Sequence, residues 1–182
     1  RLVWVLCLTA GFMVIEATMF LIVFLAYFYL RLRESDWPPV QPNPEVLFPT
    51  INLIVMLASC IPAQLAKSAA EKCDQHGVRR WLAVLTAIAT ATVVLRVFEY
   101  FGLNCRWNDN AYGSLTWLVL SLHTMHLATD TVDSYVLLAV AYTKPPSRKR
   151  FVDFSENSLY WYFIVAAWIP VYLTVYFAPR WL

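Results

Sequence analysis

Almost the whole of this 182-residue chain is taken up by five apolar stretches, each long enough to cross a bilayer, at residues 2–30, 46–65, 81–101, 113–142 and 159–177. A spanning helix needs about 20 predominantly apolar residues. In lipid every backbone polar group has to be satisfied within the segment, which leaves helices or closed barrels as the only options. Stretches of this length select helices. Only 14% of the residues are charged and 60% are hydrophobic, whereas a soluble domain carries roughly 25% charged residues. The sequence therefore predicts an all-α, polytopic transmembrane helix bundle with five spans, folded as one domain over residues 1–182. The first and fourth stretches exceed what a bilayer requires, so tilt or extension beyond it is expected.

Charge placement predicts the orientation. The connection after the second stretch carries Lys67, Lys72, Arg79 and Arg80, and the one after the fourth carries Lys144, Arg148, Lys149 and Arg150. The other two hold only Arg31 with Arg33, and Arg106. Short basic loops stay on the cytoplasmic side, which places the N-terminus inside and the C-terminus outside. Trp4, Trp81 and Trp161 fall at the expected inner ends, and Trp37, Trp107, Trp117 and Trp181 at or near the outer ones, as interfacial rings prefer. Trp168 falls mid-span and is expected to pack against a neighbour. The first stretch has a basic flank at Arg1 but no small-residue cleavage site, and reads as a permanent span. Cys7, Cys60, Cys73 and Cys105 form no C-x-x-C pair and suggest neither a disulfide frame nor a zinc site.

Proline marks the irregular places. Trp37-Pro38-Pro39 with Pro42 and Pro44 predicts a stiff first loop, Pro145-Pro146 ends the fourth helix, and Pro170 should perturb the fifth. Residues 154–158 (Phe-Ser-Glu-Asn-Ser) offer caps for the start of the last helix. Ala83, Ala87, Thr90 and Ala91 share a face of the third helix and read as a close-packing seam.

The few polar residues inside the membrane narrow the function. Glu16 lies in the middle of the first span. An intramembrane carboxyl is costly and points to function unless a neighbouring helix simply hydrogen-bonds it. His123, His126, Asp130 and Asp133 recur at steps of three, four and three, which puts them on one stripe of the fourth helix. Such a stripe could face protein, ligate a metal, hold a lipid phosphate or relay a proton. A metal would want a further well-placed ligand, and the third histidine, His76, lies in a loop. No metal site is therefore expected. Arg96 and Glu99 stand three residues apart on the third helix and are expected to pair. No haem-attachment motif, phosphate-binding glycine loop, nucleophile elbow or nucleic-acid surface is present.

These residues, in order, resemble subunit III of the haem-copper respiratory oxidases. The match runs through Glu16 with Met19-Phe20 and Ala26-Tyr27-Phe28, Trp37-Pro38-Pro39, Ile51-Asn52-Leu53 with Met56-Leu57-Ala58-Ser59, Glu99-Tyr100, and Tyr112-Gly113-Ser114. It continues with His123 and His126, Phe154-Ser155-Glu156, Leu159-Tyr160-Trp161-Tyr162-Phe163, and Trp168 with Tyr172. Relatives often carry His and Asp where this chain has Tyr162 and Val165, and Gly-Phe where it has Ser121-Leu122. Seven-helix members also have two spans before this point.

The resemblance implies an accessory subunit with no catalytic centre or redox cofactor of its own. It implies a place beside the catalytic subunit I, which holds the haems and copper, among other oxidase subunits. It also implies bound phospholipids and support for proton uptake, in a bacterial plasma membrane or mitochondrial inner membrane. Glu16 would be the buried acid of the cleft. His123, His126 and Glu156, with Arg96 and Glu99, would hold lipid headgroups or the packing around them. Two alternatives remain open: a subunit-III-like protein of a nitric oxide reductase, and a small transporter using Glu16, His123 and His126 for protons or a metal ion.

Overall fold

A computed structural model describes residues 2–34, 37–39, 42–145 and 147–181, with the side chains of residues 2–6 and 8 left aside. It is all-helical: α1 (Leu2–Arg33), α2 (Leu47–Glu71), α3 (Gln75–Phe101), α4 (Ala111–Thr143) and α5 (Arg148–Tyr172). A π-helical turn, Leu173–Phe177, then leads into the short α6, Ala178–Trp181. Helices α2, α3, α4 and α5 pack in a ring, and α1 leans on its α4–α5 edge. The peripheral place of α1 shows in its burial, 17% of its most apolar window against 56% for α5 and its continuation.

Four helices (α1, α2, α3 and the α5–α6 unit) are long and apolar enough to cross a membrane. The remaining one, α4, has the length but carries the His/Asp stripe, which lowers its apolarity. The chain is an integral membrane protein by this composition, and the apolar side chains that cover α1, among them Ile15, Ile22, Leu25 and Leu32, point outward.

Several elements depart from the sequence expectation. α2 runs past Leu65 to Glu71, and α3 begins six residues before Trp81, at Gln75. α5 begins at Arg148 after Ser147 rather than within residues 154–158, which lie inside the helix. Hydropathy reports contact with lipid, whereas a helix continues into the headgroup zone for as long as its backbone bonds close. Asp74 caps α3 by accepting from the His76 N–H at 3.1 Å, and Asn110 caps α4 by accepting from that of Gly113 at 2.7 Å. Pro170 lies within α5, and the π turn follows it at Leu173–Phe177.

The small-residue seam on α3 is also corrected, because Ala87 and Ala91 are exposed. The face turned into the bundle is Val78, Leu82, Leu85, Thr86, Ala89, Thr92, Arg96 and Glu99. It carries the helix's intramembrane charges, which cannot face lipid cheaply. Trp161, expected at an interface, is fully buried and donates from Nε1 to Ser59 Oγ at 2.8 Å. Arg1, Pro146 and Leu182, and the Trp4 side chain, lie outside the described residues.

The two cysteines in connections differ sharply. Cys73 is exposed, in the basic turn between α2 and α3. Cys105 is buried in the turn between α3 and α4, where burial, and then the charge of Asp109, push its thiol up to about 11. At pH 8 that leaves about a thousandth of it as the reactive thiolate. In a variant with Cys7 and Cys60 replaced by serine, a membrane-impermeant maleimide is expected to label Cys73 from the cytoplasmic face and to leave Cys105 unmodified. Labelling of Cys73 from the opposite face would reverse the orientation predicted from the basic loops.

Candidate functional site

Two polar clusters lie side by side in the bundle, joined through α4. The first centres on Arg96, which is completely enclosed. Its Nη1 donates to Glu99 Oε2 at 2.5 Å, its Nη2 lies 3.1 Å from His123 Nδ1, and its guanidinium stacks 3.7 Å from the centre of the Trp168 ring. Asn52 Nδ2 on α2 donates to the other Glu99 oxygen at 2.5 Å.

Chemistry fixes the tautomer of His123. Arginine has no acceptor atom, so Nδ1 must offer its lone pair. The Ile164 carbonyl, 3.0 Å from Nε2, has no proton to give, so Nε2 carries the hydrogen. His123 is therefore a neutral imidazole bridging α3 and α5. The cluster ties α2, α3, α4 and α5 together through Asn52, the Arg96–Glu99 pair, His123, and the Ile164 carbonyl with the Trp168 ring.

The second cluster centres on Glu16, 4% exposed on the side of α1 that meets α4 and α5. Tyr160 donates its hydroxyl to both carboxyl oxygens, at 2.8 and 2.9 Å. His126 Nε2 lies 3.1 Å from Oε1. The other His126 nitrogen is 2.6 Å from the Leu122 carbonyl and must donate to it, which leaves Nε2 to share a proton with Glu16. The pair can thus hold a proton on either partner. Phe20, buried on α1, packs its ring against both histidines, with centroids at 5.5 Å from His126 and 6.3 Å from His123.

The residues expected from the sequence therefore separate. Arg96, Glu99 and His123 meet in one cluster, and Glu16 and His126 in the other. Glu156 joins neither; its Oε2 accepts from Thr9 Oγ1 at 3.1 Å, toward the end where α5 begins. His123 has no surface left for a lipid headgroup, since it is fully enclosed and both ring nitrogens are engaged by protein. Tyr160, Asn52 and Trp168 complete the clusters without having been singled out as site residues. Tyr160 is one aromatic among several in α5, and its distinguishing contact is with a residue 144 positions away. Among the described residues no three His, Cys, Asp or Glu side chains converge as a metal would require.

The comparisons with known proteins decide the family. The family model described as cytochrome c oxidase subunit III matches residues 5–180. The chain belongs to the cytochrome c oxidase subunit III family. Among its relatives are cytochrome c oxidase subunit 3 of Synechocystis sp., 27% identical over 170 residues that cover 91% of this chain and 72% of that protein. Subunit 3 of Thermostichus vulcanus is 24% identical over 172 residues, covering 93% and 85%. That of Corynebacterium diphtheriae is 26% identical over 180 residues, covering 93% and 85%.

Proposed function

We propose that this chain is the accessory subunit of a proton-pumping haem-copper terminal oxidase. It crosses the membrane five times, N-terminus inside and C-terminus outside, with α4 as the fifth span. It packs beside the catalytic subunit I, which supplies the haems and copper, and beside other oxidase subunits. It takes no redox cofactor of its own. It binds phospholipids along its lipid-facing helices and supports proton uptake and stability in the catalytic subunit. The observation that carries the reading is the Glu16–His126–Tyr160 cluster. It is an acid kept away from lipid, given a partner that can share its proton, and set in a chain of this family.

In this reading Arg96 and Glu99 have a structural task. Because the Arg96–Glu99–His123 cluster is closed, its charges fix how the four ring helices meet, while the Glu16 cluster on the edge is left to change its protonation. His126 and Glu156, which are less enclosed, remain the residues through which lipid headgroups would be felt.

Purification of the native complex tests the assignment: the chain is expected to be recovered with a haem-copper catalytic subunit, and recovery without one would overturn it. Recovery with a nitric oxide reductase would select the other family reading. Within the oxidase, Glu16→Gln is expected to leave assembly and the initial rate of oxygen reduction near native. The glutamine can still accept from Tyr160 but cannot share a proton with His126, so the number of turnovers completed before inactivation should fall several-fold. Loss of the initial rate in a fully assembled complex would contradict an accessory role.

A further inference from the structure

Below the Glu16 cluster, toward the end where α5 begins, a cleft of about 350 Å³ opens between α1, α4 and α5. Its walls carry four carboxyls, Asp130 and Asp133 from α4 and Asp153 and Glu156 from α5, with Thr9, Leu137, Asn157 and Tyr160 and, among the described residues, no basic side chain. The volume is that of roughly ten water molecules, too wide for a bare metal ion, and these carboxyls do not converge as ligands. Asp133 and Asp153 are exposed at the mouth.

Asp130 is different. It is only 3% exposed, yet it lines the cleft, and among the described residues no group donates to its Oδ2. A buried acceptor of this kind is costly unless something satisfies it. Water of the cleft can reach it, both to donate a hydrogen bond and to deliver a proton. Two neighbours connect it to the upper cluster. It stands one helical turn from His126 on the same stripe, and Tyr160, whose hydroxyl holds Glu16, forms part of the same cleft wall. Asp130 also lies within electrostatic range of Glu16, Tyr160 and Asp133.

We propose that this cleft is a proton-loading entrance to Glu16, with Asp130 as the relay. This rests on the reading of Glu16 as the exchangeable acid of an oxidase subunit. A proton from water binds Asp130 Oδ2. Tyr160 then passes its hydroxyl proton to Glu16 and takes a replacement from Asp130 through water of the cleft. Glu16 gains one proton, Asp130 loses one and Tyr160 is unchanged. The exposed carboxylates at the mouth raise the local concentration of protons without forming part of the route.

The test is hydrogen–deuterium exchange of the Glu16 carboxyl band, followed by infrared spectroscopy on the purified complex in D2O. The band is assigned by its loss in Glu16→Gln. Asp130→Asn is expected to slow the exchange by about a hundredfold, the lower end of what a positioned proton-transfer group contributes. Tyr160→Phe should slow it similarly, and Asp153→Asn far less. Should Asp130→Asn fail to assemble, Leu137→Trp plugs the cleft from its wall without touching a carboxyl and is expected to slow the exchange as well. A native rate in an assembled Asp130→Asn complex, or a Glu16 band that never exchanges, would overturn the proposal. Recovery with a different partner would remove the oxidase reading alone, because the infrared band belongs to this chain whatever complex holds it.

Discussion

Glu99→Ala is expected to destabilise the subunit by about 3–5 kcal/mol, the cost of leaving one member of a buried ion pair uncompensated. Arg96 would keep only the neutral His123 and the Trp168 face as partners, and Asn52 Nδ2 would be left with only the long, 3.5 Å bond to the Thr92 carbonyl. Water cannot take over, because Arg96 is completely enclosed by four helices. The measurements are the amount of subunit incorporated into the complex and the temperature at which the purified complex releases it.

A second variant separates the charge from the packing. Replacing Arg96 and Glu99 together by methionine is expected to recover much of the loss, since exchanging a buried pair for apolar residues of similar volume is often close to neutral. Normal incorporation of Glu99→Ala would show that the pair does not hold the ring together.

Trp168→Ala should cost about as much, 3–5 kcal/mol for truncating a fully buried tryptophan. The transfer of apolar surface out of water contributes little here, because lipid is as apolar as the protein interior. What is lost is the dense contact with His123, Tyr172 and Tyr176, whose rings lie 5.0, 6.2 and 6.5 Å away, and the π face over Arg96. The cavity left cannot collapse readily when its walls are other fully buried side chains. Trp168→Phe keeps a ring over the guanidinium and should cost only about 1–2 kcal/mol. Thermal release of the subunit again reads the difference, and equal behaviour of the alanine and phenylalanine variants would remove the cation–π contact from the account.

The helices and the intramembrane acid were legible because each follows from a local rule. Continuous apolar length gives a span, and a lone carboxyl within one stands out. The Arg96–Glu99 pair was legible for the same reason, since its three-residue spacing is a contact within a single helix. What was hidden depends on how helices face one another. His123 and His126 share a stripe on α4, but one turns to α3 and α5 and the other to α1, and nothing in their spacing records that. Tyr160 has no local mark that separates it from Tyr162, whose hydroxyl instead donates to Gln64 at 2.8 Å. The start of α5 was missed because Arg148 to Asp153 are largely charged and polar, and the apolar signal begins only later. The seam on α3 was misplaced because alanines can be either packed closely or left bare, whereas Arg96 and Glu99 had to be covered.

The position of Phe20 has one more consequence. A benzene ring packed against two imidazoles works as an insulating gasket: it carries no exchangeable hydrogen, so no proton passes through it. The closed cluster around Arg96 on the far side is thereby left out of any proton path that runs through the Glu16–His126 pair.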